Sequence, residues 1–182
     1  RPFQAMARFL DGLDAAKDQD TDGGGRPAPP RVLAALGPRM LELSRDRSAG
    51  AHPYLTPPEH TGQARQVLGE SPLLAPEQAL VLDMDPVQAR TTARAYVEGY
   101  LRFPNYRANL ERLGFAEEDI AGQGSDRLVD AIVAHGSAED VQSRVRAHLE
   151  AGADHVCVQA LARGGGIDIV ALEILAPLLL AL

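Results

Sequence analysis

The sequence predicts an α/β protein built like the second half of a (β/α)8 barrel: four parallel strands, flanking helices and a helical insertion. Short apolar runs alternate with amphipathic helical stretches, the pattern of parallel strands joined by helical crossovers. The 182 residues hold 29 alanines, 17 glycines and 13 prolines against four phenylalanines, four tyrosines and no tryptophan. That composition describes helices, sharp joints and a core of small aliphatics. Only four strands can be placed, and an orphan helix precedes the first of them. A free-standing doubly wound sheet has five or six strands, whereas a barrel of about 250 residues has eight, so half a barrel fits better.

The elements follow in order. Phe3, Met6, Leu10 and Leu13 recur at helical spacing, giving a helix that ends near Ala16. Lys17 to Pro30 (KDQDTDGGGRPAPP) is polar, then glycine-rich, then proline-rich, and reads as a surface loop. Arg31 to Leu36 is the first strand, and Gly37-Pro38 turns it into a helix that runs to Arg47. Ala49 to Leu55 is the second strand, followed by a helix from Glu59 to Gly69. Gln78 to Leu82 is the third. Asp85, Pro86 and Gln88 supply an N-cap, a first-turn proline and a capping-box partner for a long helix buried through Ala93, Tyr96, Val97, Tyr100 and Leu101. Residues 103–136 read as a helical insertion of short pieces. Ser137 and Asp140 cap the next helix, whose stripe is Val141, Val145, His148 and Leu149 and which stops at Gly152. The fourth strand is His155 to Ala160, followed by Arg163 with three glycines and a last helix. The whole chain, 1–182, reads as part of one barrel domain.

The net charge of −7, from 18 basic and 25 acidic side chains, lacks the basic footprint that nucleic acid requires. One cysteine, Cys157, makes no internal disulfide, and a reducing, cytoplasmic setting is expected. The most apolar stretch, Ile167 to Leu182, is interrupted by Asp168, Glu173 and Pro177 and is too short for a membrane span. The chain begins at an arginine, so a segment upstream is expected.

In a barrel the chemistry sits at the C-terminal ends of the strands. There, Leu36-Gly37-Pro38-Arg39 places a glycine where backbone can approach a ligand, with free N–H groups opening a helix. This is either an anion site or a plain turn. His52 and Tyr54 share a face of the second strand, where they either bind a substrate or cofactor or are satisfied by neighbouring backbone. In the fourth strand His155, Cys157 and Gln159 share the interior face, with Gln159 nearest the active end and His155 at the inert end. Arg163 with its glycines is a second anion candidate or a flexible loop. Asp83 and Asp85 read as a strand end and a helix cap. His60, His135 and His148 read as surface or packing residues, and no metal spacing occurs.

Four segments carry a likeness: RVLAALGPRMLELSRDRSAGAHPYLTPPEHT (Arg31 to Thr61), DMDPVQAR (Asp83 to Arg90), FPNYRANLERLGF (Phe103 to Phe115) and GSAEDVQSRVRAHLEAGADHVCVQAL (Gly136 to Leu161). Together they resemble the C-terminal half of luciferase-like flavin or deazaflavin oxidoreductases, above all the actinobacterial type assigned to the coenzyme F-420 group. The resemblance covers nearly the whole chain from Pro2. It implies a barrel with an insertion between strands seven and eight, which binds an 8-hydroxy-5-deazaflavin and passes a hydride between its C5 and a small organic substrate. It also implies that Ala34, Ala35, Leu36, Gly37 and Pro38, with Arg39 beside them, contact the phosphate-bearing tail, and that His52 and Tyr54 line the substrate side, with Gln159 on the same inner face. The catalytic residues of such enzymes belong to the other half. The alternatives are an FMN-dependent luciferase-like monooxygenase and a non-catalytic half-barrel that pairs with a separate half or a second copy. A half-barrel on its own is expected to expose two strand edges and an apolar interior.

Overall fold

Short, mostly apolar runs give this chain its strands, and the computed structural model describes residues 2–19 and 29–182. Helix α1 (Pro2–Gln19) buries Leu10 against Leu33 and Leu43, with Phe3, Met6 and Met40 packed around them. It continues past its expected end at Ala16, and residues 20–28 of the expected loop lie outside the described residues. Then come β1 (Val32–Leu33), α2 (Pro38–Arg47), β2 (Gly50–Ala51), α3 (Pro58–Leu68) and β3 (Leu73–Leu74). The rest of the chain forms β4 (Glu77–Val81), α4 (Pro86–Leu101), α5 (Pro104–Arg112), α6 (Glu117–Ile120), α7 (Asp126–Ile132), β5 (Ala134–His135), α8 (Ala138–Glu150), β6 (Cys157–Ala160) and α9 (Ile169–Leu179).

Every pairing between named strands is parallel, in the orders β1-β2-β3 and β5-β4-β6. The two sheets are joined, because β3 and β4 are successive pieces of one extended run. Between them Ala75 N donates to Ala51 O (3.0 Å) and Glu77 N to Pro53 O (2.9 Å), so the run stays beside β2. The four expected strands are therefore neighbours in the expected order. Among the described residues the sheet does not close into a full barrel: β1 pairs only with β2, and β6 only with β4.

The paired segments are shorter than expected, and Pro53 gives one reason. Lacking an N–H, it cannot extend the β2 ladder toward Ala75 O, and Leu55 then turns into the left-handed region (φ 57°). The expected strand Ala49 to Leu55 is thus paired only over Gly50–Ala51, and Arg31 to Leu36 only over Val32–Leu33. Two strands were not foreseen. β3 and β5 are two residues each, and β5 ends the region expected to be wholly helical, where Leu80 pairs with Ala134 and Val81 with His135. Gly50 is needed where β2 closes on β3, since a Cβ there would stand 2.1 Å from Leu73 O.

Strand register sorts the side chains onto two faces. Ala51, Leu74, Leu80 and Ala160 point to the outer helices. Ala51 and Leu74 pack with Leu41, Ala64 and Leu68, while Leu80 and Ala160 pack with Val141, Ala171 and Leu175. Each fully buried leucine in these clusters contributes about 2 kcal/mol. On this side His148, fully buried, donates from Nε2 to Gln78 Oε1 (2.9 Å) and accepts at Nδ1 from the Thr61 hydroxyl (2.7 Å), which ties α8 to β4 and α3. It is a packing residue and not a surface one.

The other face carries Gly50, His52 and Tyr54, then Ala75, Glu77, Ala79 and Val81, then Cys157 and Gln159. In a complete barrel it would face the axis. Here its upper end is covered by the chain itself: Ala79 and Val81 pack against Ala89, Ala93, Val97 and Leu101 of α4, together with Leu110, Leu128 and Ile132 of the helices that follow. The expectation of a bare apolar interior holds only at the lower end, where Val32 and Leu73 are 40% and 37% exposed. Asp85 caps α4 by accepting from Val87 N (2.9 Å), and Ser137 and Asp140 form the reciprocal capping box of α8.

Candidate functional site

At the C-terminal ends of β1 and β2 a cavity of about 560 Å³ brings together Ala34, Ala35, Leu36 and Gly37 with His52 and Tyr54. Pro38 and Arg39 do not line it, and Arg39 instead lies over the Phe3 ring at 4.3 Å. Gln159 lines a second cavity of about 590 Å³ with Tyr96, Leu161 and Gly164 to Gly166. The walls of the two cavities are linked by Tyr54 of the first, whose hydroxyl donates to Gln159 Oε1 of the second. His155 lies apart, lining a third, apolar cavity with Leu179.

Gly37 caps α2 with φ −83°, a conformation open to any residue, so its lack of a side chain serves space. A Cβ there would stand 3.2 Å from Arg112 Nη2, because the guanidinium of α5 lies across the start of α2. Arg112 is held by Asn109 Oδ1 (3.0 Å), and the buried His60 donates from Nε2 to Leu36 O (2.8 Å). Burial holds His60 below the ordinary histidine range. Two buried polar atoms next to this turn, His60 Nδ1 and Asn109 Nδ2, have no hydrogen-bond partner. A guanidinium with no carboxylate partner among the described residues, a helix start without a side-chain cap and unsatisfied polar atoms suit an anion.

His52 repairs the gap left by Pro53. Its Nδ1 donates to Ala75 O (2.6 Å), the carbonyl to which a residue other than proline would have donated its backbone N–H. That bond fixes the tautomer and leaves Nε2 for the cavity. Tyr54 belongs to a cluster that holds all four tyrosines of the chain, with ring centroids 5.0 to 6.5 Å apart through Tyr96, Tyr100 and Tyr106.

Behind the cluster sits Glu77, 4% exposed. Its Oε2 accepts from Leu55 N (3.3 Å) and its Oε1 from the Tyr96 hydroxyl (3.2 Å). The left-handed backbone of Leu55 is the one positive φ outside glycine among the described residues. Such conformations cost about 1–3 kcal/mol and persist where surrounding structure imposes them. Burial pushes the Glu77 carboxyl up to about 7, against the opposing pull of Leu55 N–H and Tyr96. It also raises the Tyr96 phenol, with the neighbouring Glu77 charge adding to the effect.

Arg163, exposed on the wall of the second cavity, pairs with Asp83 at 2.6 Å. Among the described residues no cluster of acidic, histidine or cysteine side chains suits a metal, and no helix is long and apolar enough to cross a membrane.

Solved structures share the fold. The coenzyme F-420-dependent tetrahydromethanopterin reductase from Methanopyrus kandleri matches 84% of this chain at 18% identity and a TM-score of 0.65. An F-420-dependent secondary alcohol dehydrogenase, solved with an F-420–acetone adduct, matches 86% at 15% identity and 0.56. The protein MsnO8, solved without ligand, matches 97% at 14% identity and 0.59. This chain shares the fold of about half of each of these structures. The chain spans 50%, 51% and 59% of the length of these three structures, respectively. No family model and no curated protein sequence matches it.

Sequence reasoning about this half-barrel missed Glu77 and Arg112. Glu77 stood one residue before the expected third strand, and a carboxylate at the head of an apolar run was the available signal. Arg112 stood inside the FPNYRANLERLGF segment with nothing local to connect it to Gly37.

Proposed function

We propose that this chain forms the cofactor-tail and substrate-side half of an oxidoreductase that transfers a hydride between a deazaflavin of the F-420 type and a small organic substrate. One observation carries the reading: Gly37, His52 and Tyr54 meet in a single cavity at the C-terminal ends of parallel strands, where barrels of this kind place their chemistry. The fold shared with two F-420-dependent oxidoreductases supports the cofactor class.

The residues present suit the anionic tail of such a cofactor. Arg112 would hold it by charge-assisted hydrogen bonds, Gly37 leaves room for it beside the guanidinium, and the start of α2 adds a favourable dipole. When bound, the deazaflavin supplies or accepts a hydride at C5. His52 then offers Nε2 to a substrate, with Nδ1 anchored on Ala75 O, while Tyr54 is oriented by Gln159. The cavity walls of Ala34, Ala35 and Leu36 exclude water from that side. Because β1 and β6 each pair on one side only, the reading includes a barrel partner, either a separate half or a second copy.

Titrating coenzyme F-420 with the protein and following deazaflavin emission tests the proposal. Saturable binding that weakens about tenfold or more in Arg112→Ala is expected. A wild-type chain that leaves the emission unchanged, alone and as its own oligomer, overturns it.

A further inference from the structure

A glutamine could make both hydrogen bonds of Glu77, to the Leu55 N–H and the Tyr96 hydroxyl, so these contacts do not call for a carboxylate. Glu77 lies on the inner face of β4, beneath four tyrosines, with Cys157 beside it on β6 and Tyr54 beside it on the β2 side. His52 stands one position lower on the same face. The groups that face Glu77 are the Tyr96 and Tyr100 phenols from α4, Tyr106 from α5, the Cys157 thiol and the Leu55 N–H. None is a lysine or arginine, so the acid is buried without a counter-charge. Such a group rests near the balance between its two forms. Its one side-chain link is the 3.2 Å contact with Tyr96, and Tyr96 lines the cavity that also holds Gln159 and the Gly164 to Gly166 loop.

We propose that Glu77 is the proton store of this site and Tyr96 its outlet, and that the cavity between Tyr96 and Gln159 takes a carbonyl compound that gains a proton as it is reduced. The proton store stands on the geometry alone, whereas the reduction rests on the hydride-transfer reading above. When Glu77 is ionised, Tyr96 donates to Oε1. When it is protonated, the carboxylic hydrogen donates to the Tyr96 oxygen and frees the phenol hydrogen for the cavity.

Reduction balances as follows. The hydride adds to the carbonyl carbon as the C=O π pair moves onto oxygen, and the reduced deazaflavin is oxidised by two electrons. The substrate oxygen takes the Tyr96 proton, Tyr96 takes the Glu77 proton, and the carboxylate left behind is reprotonated from solvent. Gln159, through its amide N–H, donates to the same oxygen while its Oε1 stays occupied by Tyr54. Glu77 acts through Tyr96 and is a relay residue.

The chain has no tryptophan and its four tyrosines form one cluster, so their emission reports the charge of Glu77 in the ligand-free protein. Emission followed between about pH 5 and about pH 9 should show a transition near 7 in the wild type that is absent from Glu77→Gln. A transition that persists in Glu77→Gln, or none in the wild type, overturns the proton store. The second measurement is acetone reduction by reduced F-420. Glu77→Gln and Tyr96→Phe should each lower kcat by about 100-fold, leave F-420 affinity unchanged and remove the limb of the pH profile near 7. An unchanged kcat and pH profile in either variant overturns the relay. If the wild type binds no F-420 yet its tyrosine transition is present and lost in Glu77→Gln, the hydride-transfer reading falls and the proton store stands.

Discussion

Tyr54 donates its hydroxyl hydrogen to Gln159 Oε1 across 105 positions of sequence, and so joins the segment after β2 to β6 over the top of Glu77. The bond links two cavity walls that no strand pairing connects directly, since β4 lies between β2 and β6. Removing the hydroxyl in Tyr54→Phe leaves the amide oxygen to find water, at a cost of about 1 kcal/mol. Combined with Gln159→Leu, the two losses should fall short of their sum by a similar amount, because both variants remove the same bond. Urea unfolding of the two single variants and the double variant checks this, and strictly additive losses would count against the bond.

Gly37 offers a test in which binding and stability separate. In Gly37→Val the new side chain meets the end of the Arg112 guanidinium at a flexible position and not backbone, so the fold should lose less than about 1 kcal/mol. The displaced guanidinium no longer lies across α2, and F-420 affinity should fall about tenfold. Since Arg112→Ala removes the same group, the double variant should bind no more weakly than the worse single one. Emission titration and thermal unfolding, run side by side, decide it.

Gly50 makes the opposite prediction. A Cβ at that position meets the Leu73 carbonyl, which is backbone and cannot swing away, so Gly50→Ala must force β2 and β3 apart. A loss of about 3 kcal/mol or more is expected, enough to unfold a marginal domain. A Gly50→Ala protein with wild-type urea midpoint would show that this strand approach is looser than described.

These particulars show which parts of the molecule local sequence pattern encodes. The alternation of His52 and Tyr54 placed both on one face because a strand has a two-residue period, and Gly37 was legible because a strand, a glycine and a proline together spell a turn into a helix. The caps Asp85 and Ser137 were legible for the same local reason. Pro53 was in view as well, but its consequence, a carbonyl on the neighbouring strand left for His52 to satisfy, depends on register and not on spacing. Glu77 acquires its properties only when α4 folds back over the inner face of β4. Nothing within a few residues of Glu77 encodes that contact, and the two-residue strands β3 and β5 are too short to carry a periodic signal.

The pH dependence of stability should show two buried groups acting in opposite directions. Glu77 sits at about 7 in the fold against an ordinary 4.5, so the folded protein holds that proton more tightly than the unfolded chain. Stability therefore falls as pH rises from about 4.5 and levels off above 7, by about 3 kcal/mol in all. His148 is pushed down to about 4 from 6.5 by burial, with the nearby Arg144 charge assisting. Here the unfolded chain binds the proton more tightly, so stability is complete above about 6.5 and is lost as pH falls toward 4, again by about 3 kcal/mol. Over the shared window the Glu77 and His148 slopes oppose each other, and the buried His60, also held below its ordinary range, adds to the rising side, so the wild type should rise gently between about pH 4.5 and 6.5. Glu77→Gln removes the falling slope, so its stability should climb with pH and exceed that of the wild type most above pH 7. His148→Gln removes one of the two rising contributions, so its stability, lower overall because of lost packing, should rise less with pH across the same window than that of the wild type. Urea midpoints measured at a series of pH values for the three proteins test this. A Glu77→Gln slope no steeper than that of the wild type, or a His148→Gln slope no shallower, would mean that the group removed does not titrate as its burial dictates.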